Sequence, residues 1–494
     1  MELARYQMYV GGHWTEGASR EYFQSDDPYR GKPWALIPRG SADDVDRAVR
    51  AAHEAFTSGD WPKLTASSRG ALLRRLGDLI AARSRALAEV EVRDNGKLYA
   101  EMSAQTAYMA QWYYYYGGLA DKVEGAVLPS DKPETFNYTR YEPIGVVAAI
   151  VPWNSPLLLT AWKLAPALAA GNTVVIKPSE YTSASALELM TLVEEAGFPP
   201  GVVNVVTGFG VEVGVPLVEH PLVAKVAFTG SDATGQRIYE AAARGLKRVS
   251  LELGGKSPNI VFEDADLDNA MKGVIAGIFA ATGQTCIAGS RLLVQESIHD
   301  RFLEKLVAFA RTARMGNPMD AGTQIGPVTN KPQFEKILEY IDVARGEGAR
   351  PVLGGARAVG PECGDGWFVE PTIFAGVTND MRIAQEEVFG PVLAVIPFKD
   401  EEDAIAIGND VVYGLAAGVW TQNMRRALTM AERLQAGTVW INTYRAVSYL
   451  SPFGGYKRSG IGRESGQDMI KEYLQVKSVW ISTAMDVPNP FIQR

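Results

Sequence analysis

The chain has 494 residues, of which 47% are hydrophobic and 21% charged, and its formal net charge is −8 at pH 7. This length predicts roughly three domain-sized units, and the composition is that of a globular protein with enough apolar residues for a core. Because the acidic balance comes without any long basic run, nucleic acid is not expected as a partner.

Cysteine and histidine usage narrows the class of protein further. Cys286 and Cys363 are too few for a disulfide framework, and the first residues, MELARYQMYV, lack a charged and then apolar leader. We therefore expect a cytoplasmic protein. The four histidines are scattered, and none has metal-ligand spacing with a cysteine, so no metal site is expected.

The first part of the chain is predicted to be helical. Ser41 and Asp44 have the spacing of a capping box. Apolar residues then recur at helical intervals, at Val45, Ala48, Val49, Ala52 and Phe56. Residues 68–92 continue this region with an apolar stripe that we interpret as packing surface, formed by Leu72, Leu73, Leu76, Leu79 and Ile80.

From about residue 143 the pattern changes to short apolar strands separated by helical stretches. The strands are GVVAAIV, NTVVIK, VVNVV, KVAFTG and VSLEL. This alternation predicts a parallel α/β sheet with a nucleotide-binding layout. Residues 144–176 are the most apolar part of the chain, but Asn154, Lys163, Asn172 and three prolines interrupt them, so we expect buried core and no membrane contact.

A second α/β region is predicted over residues 256–440. Its strands are PNIVF, SRLLV, PVLAVIPF and GTVWIN, and RFLEKLVAFARTA has the pattern of an amphipathic helix. Two outlying segments, residues 121–142 and 472–485, are predicted as strands with no obvious sheet nearby. We expect another subunit to complete them, and hence a homodimer or homotetramer.

Cys286 lies in ATGQTCIAGSR, residues 281–291. A lone cysteine is most often a buried and inert thiol, and Cys363 is interpreted in that way. Around Cys286, small residues leave space for a molecule to approach the sulfur. Thr282 or Thr285 is in place to cap a following helix, whose N–H groups would favour a thiolate.

A nucleophilic thiol needs a base, and with no histidine nearby in the sequence a carboxylate is the other option. In RVSLELGGKSPNIVF the alternation of a strand puts Ser250 and Glu252 on the side opposite to Leu251 and its apolar neighbours. Glu252 is therefore predicted at the end of a strand, just before a Gly-Gly turn. The alternative is a solvated glutamate at a sheet edge.

Six segments together carry a resemblance to a known family. LELGGKSPNIVF is followed by GQTCIAGSR, whose cysteine lies 34 positions after the glutamate. The other segments are PWNSPLLLTAWKLAPALAAGNTVVIKPSE (152–180), FTGSDATG (228–235), EEVFGPV (386–392) and SPFGGYKRSGIGRE (451–464). In this order and spacing, the chain resembles the NAD(P)-dependent aldehyde dehydrogenase superfamily over nearly its whole length.

The resemblance implies an α/β fold with a Rossmann-like dinucleotide-binding domain, a second α/β catalytic domain and a small β oligomerisation arm. The NAD-binding domain is expected over residues 1–120 and 143–253, and the catalytic domain over 254–456. The arm is expected over 121–142 and 468–494.

The resemblance also implies the chemistry. Cys286 would attack an aldehyde, and the oxyanion would accept hydrogen bonds from the Asn154 amide and the Cys286 backbone N–H; removing one such donor costs about 3–4 kcal/mol. Glu252 would be the general base that hydrolyses the resulting thioester. Lys163 is implied as a further catalytic residue. For Asn154, a turn residue in an N-x-P sequence is the alternative.

NAD is the cofactor implied, with NADP possible. Lys177 and Glu180 would bind the adenosine ribose, and a carboxylate at Glu180 favours NAD because it repels a 2′-phosphate. Gly230 and Ser231 would meet the pyrophosphate at a helix N-terminus. Glu387 would hold the nicotinamide ribose. The remaining cofactor-binding residues implied are Ile150, Val151, Pro152, Trp153, Ser179, Gly210, Phe228, Thr234, Leu253 and Phe389. A solvated Lys177 and Glu180, and a core Phe389, are the alternatives.

A tunnel to the thiol would select the substrate, and its expected lining is Ser155, Leu159, Trp162, Arg445 and Val447. We expect a polar aldehyde, one class being an aldehyde with a carboxylate that Arg445 pairs with. An Arg445 engaged in a salt bridge within the protein or with a neighbouring subunit is the alternative. Two other functions compete: a thiol esterase or acyltransferase, and a non-catalytic, crystallin-like binding protein.

Overall fold

The computed structural model describes residues 3–486 and 489–492. An eight-stranded sheet lies at its centre and has five adjacent parallel strands. The strands, in spatial order, are Gly460–Ile461, Arg248–Glu252, Val223–Thr229, Val146–Ile150, Thr173–Lys177, Val203–Val205, Met8–Val10 and His13–Thr15. This agrees with the mixed α/β fold and the nucleotide-binding layout predicted from residue 143 onwards.

A second sheet has seven strands, all parallel to their neighbours except for one antiparallel pair at its edge. They are, in spatial order, Arg350–Leu353, Thr372–Ala375, Val392–Phe398, Arg291–Gln295, Pro258–Val261, Ala416–Trp420 and Thr438–Ile441. The four strands predicted here are present. Three further strands, Arg350–Leu353, Thr372–Ala375 and Ala416–Trp420, were not among the predicted ones.

Smaller sheets join Ala4–Arg5, Lys32–Pro38 and Tyr22–Asp27, and pair Tyr413–Gly414 with Tyr456–Lys457. The α-helices are Ala42–Thr57, Ala66–Asn95, Tyr99–Leu119, Pro156–Ala170, Ala184–Ala196, Val215–Glu219, Asp232–Arg244, Leu267–Ile278, His299–Ala310, Lys331–Gly346, Arg382–Gln385, Glu401–Asn409 and Met424–Arg433. Over residues 3–486 and 489–492, no helix has both the length and the apolar character needed to cross a membrane.

The predicted capping box is formed. The backbone N–H and the hydroxyl of Ser41 both donate to Asp44 Oδ2 at 2.9 Å, at the start of the helix Ala42–Thr57. The helix predicted over 68–92 extends from Ala66 to Asn95. Its N-cap Thr65 accepts from Ser68 N at 3.1 Å, and it ends at Gly96, whose φ of 73° is left-handed and suits glycine.

The apolar segment 144–176 is core, as expected. The helix Pro156–Ala170 is buried along nearly all of its length between strands and neighbouring helices, and Lys163 within it is completely buried. Helix propensity does not explain a helix of this kind. Its stability comes from burial of apolar surface, at about 25 cal/mol per Å².

The two outlying segments pair with each other. Strand Leu474–Ser482 runs antiparallel to Thr135–Pro143, from the pair Leu474–Pro143 to the pair Ser482–Thr135, and Val127–Leu128 adds a third strand. The two segments thus form a local sheet of their own, which the sequence pattern had not indicated, and the completion of this sheet by another subunit stays a prediction. The predicted arm extends to residue 494, and residues 487, 488, 493 and 494 lie outside the described part of the chain.

The helix His299–Ala310 offers a matched test of this core. Phe302 is fully buried, whereas Phe309 on the same helix is 42% exposed. We expect Phe302→Ala to lower the free energy of unfolding by about 3–5 kcal/mol, because it removes a buried ring and leaves a cavity. Phe309→Ala should change it by no more than about 0.5 kcal/mol. Thermal unfolding of both variants checks this, and equal shifts in Tm would contradict the packing described.

Candidate active site

Cys286 lies in a loop between the helix Leu267–Ile278 and the strand Arg291–Gln295. The preceding turn has left-handed backbone at Ala281, Thr282 and Gly283, with φ of 53°, 54° and 70°. A Cβ at Gly283 would lie 2.0 Å from Gly390 O, so glycine is required there. These constraints fix the loop that carries the thiol.

The residues after Cys286 form a turn and not a helix. The predicted helix, capped by Thr282 or Thr285, is therefore wrong. Thr282 Oγ1 instead donates to Gly326 O at 3.1 Å, which ties the turn to a distant loop. No helix N-terminus follows to lower the pKa of the thiol.

Cys286 is half-buried and lines a pocket that it shares with Asn154. Burial, followed by the negative charges of Glu387 and Glu252, raises the pKa of its thiol to about 12. The thiol is therefore protonated in the resting protein at neutral pH, and it needs a base before it can act as a nucleophile. Cys363, by contrast, is buried in a small apolar cluster with Ala358 and Phe368, away from this loop.

Glu252 ends the strand Arg248–Glu252, as predicted, but it is buried and not solvated. Its strand pairs on both sides, with Val223–Thr229 and Gly460–Ile461, so the alternative of an edge glutamate is wrong. Both carboxylate oxygens lack a hydrogen-bond partner among the described residues. Burial, and then the like charge of Glu464, raises the pKa of Glu252 well above 4.5.

Lys163 lies beside this carboxylate and not against the thiol. Its ammonium pairs with Glu464 and donates to Thr229 Oγ1 at 2.6 Å, and both charged side chains of the pair are fully buried. The charges of Lys163 and Arg463 oppose the rise in the pKa of Glu252. The contacts therefore connect Lys163 with the Glu252 and Glu464 carboxylates.

Asn154 follows the strand Val146–Ile150 and precedes the helix Pro156–Ala170. It is buried, and Nδ2 donates one hydrogen bond of 3.1 Å to Gln284 O, two residues before Cys286. A primary amide has a second N–H, which this bond leaves available. Asn154 and Cys286 line the same pocket. That arrangement suits a donor directed at charge developing beside the sulfur.

A cleft of about 640 Å³ opens at the carboxyl ends of the parallel strands of the first sheet, where such sheets bind nucleotides. Twelve of the residues predicted to bind the cofactor line it: Ile150, Val151, Pro152, Trp153, Lys177, Ser179, Glu180, Gly210, Phe228, Gly230, Ser231 and Thr234. The other three, Leu253, Glu387 and Phe389, line an adjoining pocket of about 140 Å³ that also contains Cys286 and Leu159. The two pockets share Pro152, Trp153, Thr229, Gly230 and Ser231.

The polar groups of this cleft fit a dinucleotide. Lys177 is buried with Nζ 3.3 Å from Glu180 Oε2, which makes a cation and a carboxylate available to ribose hydroxyls. The alternative of a solvated lysine is therefore wrong. Ser231 is the N-cap of the helix Asp232–Arg244, whose first N–H groups suit a pyrophosphate. Gly210 has open space where a Cβ would project, in keeping with a backbone that a ligand approaches closely.

At the far end of the cleft, Gly255 N donates to Glu387 Oε1 at 2.9 Å, and burial raises the pKa of Glu387 to about 7. A Cβ at Gly254 would come within 2.6 Å of Glu387 Oε2. Phe389 packs edge-on against Trp153, with ring centroids 5.2 Å apart, and lines the pocket instead of the core.

Several lining residues were not predicted. Gln333 donates to the carbonyls of Val388 and Phe389 at 2.8 and 3.1 Å, and Lys336 donates to Glu387 O at 3.0 Å. Both lie on the helix Lys331–Gly346, which has no motif of its own. In the larger cleft, Val215, Val218, Arg237, Ile238 and Ala241 were also missed. These lining residues can be recognised only in the folded structure, where distant segments of the chain meet at the cleft.

The predicted substrate residues divide into two groups. Leu159, Trp162 and Val447 belong to the apolar cluster against which Cys286 also packs. Ser155 and Arg445 are polar: Ser155 Oγ accepts from Lys97 Nζ at 2.9 Å, and Arg445 Nη1 donates to Ala276 O at 3.2 Å. Lys97 was not predicted. Among the described residues, no carboxylate forms a salt bridge with Arg445, so its ion pair within the chain is not formed.

Comparisons with known proteins agree with this site. The model of the aldehyde dehydrogenase family matches residues 14–479. A "(Z)-2-((N-methylformamido)methylene)-5-hydroxybutyrolactone dehydrogenase" of Acinetobacter baylyi is 48% identical over 100% of both chains. Aldehyde dehydrogenase 1A1 of Gallus gallus is 45% identical over 96% of this chain and 93% of that protein.

Solved structures agree as well. A betaine aldehyde dehydrogenase from Staphylococcus aureus in complex with NAD+ is similar with a TM-score of 0.97 and 41% identity, over 99% of this chain and 96% of that one. An aldehyde dehydrogenase from Bacillus cereus in complex with NAD+ gives a TM-score of 0.95 and 43% identity, over 97% of each chain. Motifs, fold and site thus lead to one conclusion: the chain belongs to the aldehyde dehydrogenase family.

Proposed function

We propose that this protein oxidises an aldehyde to a carboxylic acid with NAD+, through a thioester on Cys286. The observation that supports this most directly is the pocket in which Cys286, Asn154 and Leu159 adjoin the large cleft at the strand ends. The bound cofactor would supply a nicotinamide ring that accepts a hydride. Neither a thiol esterase nor a binding protein would need that cleft beside an intact Cys286, Glu252 and Asn154 set.

In the first step the Cys286 sulfur bonds to the aldehyde carbon while Glu252 takes the thiol proton. The oxyanion accepts hydrogen bonds from Asn154 Nδ2 and the Cys286 backbone N–H. After oxidation, the acyl group remains on Cys286 as a thioester. Glu252 first releases the thiol proton to solvent and then takes a proton from water, and the resulting hydroxide attacks the thioester. The acid leaves as the Cys286 thiolate is expelled, and Glu252 returns the proton taken from water to that sulfur.

Lys163 and Glu464 act as positioning residues in this scheme. Lys163 opposes the rise in the pKa of Glu252 and so favours its ionised form, whereas Glu464 holds the Lys163 ammonium in place and itself raises that pKa. NAD is preferred to NADP because the Glu180 carboxylate, paired with Lys177, repels a 2′-phosphate.

We also propose that the functional units are residues 1–120 and 143–253 for NAD binding, 254–456 for catalysis, and 121–142 with 468–494 for oligomerisation. On one face of the arm, Val127, Phe136 and Ile481 are 69%, 44% and 45% exposed, an apolar face that suits a homodimer or homotetramer. The two free cysteines fit a reducing cytoplasm.

Removal of the nucleophile tests the reaction class. We expect Cys286→Ala to abolish NADH formation from NAD+ and a panel of aldehydes, since no thiohemiacetal can form. Cys363→Ala is the matched control and should retain wild-type turnover, because that thiol lies in a separate cluster. Absorbance of reduced nicotinamide measures both, and NADH formation by Cys286→Ala at the wild-type rate would overturn the mechanism.

The general base is tested by the pH dependence of turnover. Because the folded-state pKa of Glu252 is raised, its base form is lost as pH falls while ordinary glutamates are still ionised. We expect kcat to fall with decreasing pH in the wild type. Glu252→Gln should give at most one NADH per site, followed by a much slower steady state, because the thioester is no longer hydrolysed.

The control for this test is Glu219→Gln, which alters an exposed surface glutamate and should keep the wild-type pH profile. If Glu252→Gln turned over with wild-type kcat and pH profile, Glu252 would not be the base.

We propose a polar substrate, in particular an aldehyde that bears a carboxylate. Arg445 engages one carbonyl and keeps further N–H donors for a bidentate pair. Arg445→Ala should lower kcat/KM for a semialdehyde about tenfold or more relative to an uncharged aldehyde of equal length. Arg425→Ala, on the exposed face of another helix, is the control. An unchanged ratio in Arg445→Ala would exclude this role for Arg445.

A further inference from the structure

Lys97 is a buried ammonium that lacks a contacting carboxylate. It follows the left-handed Gly96 at the end of the helix Ala66–Asn95, and it is 3% exposed. Nζ donates to Ser155 Oγ at 2.9 Å. Within the described part of the chain, no carboxylate oxygen lies within 4.0 Å of this nitrogen, and no second acceptor bonds to it. An ammonium has three N–H donors, so two are left without a protein acceptor.

The other buried lysine near the site is different. Lys163 Nζ is paired with Glu464 and bonded to Thr229 Oγ1, so protein groups compensate for its burial. Taking an ammonium out of water is costly unless an anion or several acceptors replace the water. Lys97 has one neutral hydroxyl in contact. The carboxylates of Glu101 and Glu91 favour its charge without bonding to it, so two N–H donors remain for an anionic ligand.

Lys97 is connected to the loop of the thiol on the side where Ser155 lies. Its partner Ser155 is adjacent to Asn154, which bonds to the Cys286 loop through Gln284 O at 3.1 Å. On the same side, Glu101 Oε1 accepts from Ala281 N at 2.9 Å, five residues before Cys286. The segment that carries Lys97, the start of the helix Pro156–Ala170 and the Cys286 loop therefore meet here. Neither pocket of the cofactor cleft includes Lys97.

We infer that Lys97 is a specificity-determining residue that binds the carboxylate of an aldehyde whose far end is anionic, with Ser155 orienting the ammonium. This inference rests on the proposed function, since it names the substrate class of the same site. The contact is non-covalent: two ammonium N–H groups donate to the substrate carboxylate. Arg445 supplies a second positive charge on this side of the thiol.

The charges around Lys97 make its preference for an anionic substrate depend on pH. Burial, together with the charge of Arg445, lowers the pKa of Lys97 to about 8, against the opposing effect of Glu101, Glu91 and Cys286. The ammonium is therefore lost as pH rises through about 8, while the carboxylate of a substrate stays ionised. Preference for the anionic substrate should accordingly be high below this pH and should fall above it.

The experiment compares kcat/KM for 4-oxobutanoate and for its uncharged methyl ester, with NAD+, in the wild type and in three variants. In Lys97→Met the ratio of the two values should fall about tenfold to a hundredfold, because a hydrogen bond between charged groups is lost. Lys97→Arg keeps the charge and should retain most of the ratio. Lys225→Met replaces another buried lysine, beneath the first sheet, and should leave the ratio unchanged.

The outcomes separate this inference from the proposed function. If no aldehyde is oxidised by the wild type, the proposed function fails. If the wild type oxidises both substrates but shows no preference for the anion, or if Lys97→Met lowers both values equally, the inference about Lys97 is overturned and the reaction class stands. Should Lys97→Met fail to fold, the wild-type ratio measured across pH 8 decides, and a constant ratio overturns the inference.

Discussion

The burial of one carboxylate constrains the rest of this site. Glu252 ends a strand that is paired on both sides, and neither of its oxygens has a hydrogen-bond partner among the described residues. A Cβ at Gly454 would lie 2.8 Å from Glu252 Oε1, so the chain can approach the carboxylate only through a glycine. Burial therefore raises the pKa of both the Glu252 carboxyl and the nearby Cys286 thiol, which makes the ionised carboxylate a stronger base toward the thiol proton.

The two large sheets contribute different parts of the site. The first supplies strand ends, with Lys177 as the last residue of one strand and Ser231 just beyond another, and so forms the cleft suited to a dinucleotide. The second carries the loops of Cys286 and Glu387 against that cleft. Strand Gly460–Ile461 returns late in the chain to pair with Arg248–Glu252, which brings Glu464 to Lys163. The site thus exists only when segments from both sheets are packed together.

Sequence reasoning predicted the parts of this molecule that depend on local pattern. The capping box at Ser41, the main strands, and the residues of the cofactor cleft could be identified in this way, the last through family resemblance. Features that depend on distant contacts could not. The expected helix after Cys286 is replaced by a turn. Just before it, Thr282 is hydrogen-bonded to Gly326 O and Gly283 packs closely against Gly390, and neither contact could be foreseen from the sequence. The strand Ala416–Trp420 was not predicted because it is rich in small residues and lacks a clear alternation. Lys97 could not be recognised as a site residue because its contact with Ser155 exists only in the folded chain.

The pairing of Leu474–Ser482 with Thr135–Pro143 also has a consequence for biosynthesis. Pro143 and Gln475, which meet across this ladder, are 332 residues apart in the chain. At about 5–20 residues per second, a ribosome needs tens of seconds to make that intervening chain. During this interval one long side of the Thr135–Pro143 ribbon has backbone groups without their final partner, the type of exposed edge that recruits other strands. The newly made chain therefore has a period of vulnerability to aggregation that ends only when its last residues emerge.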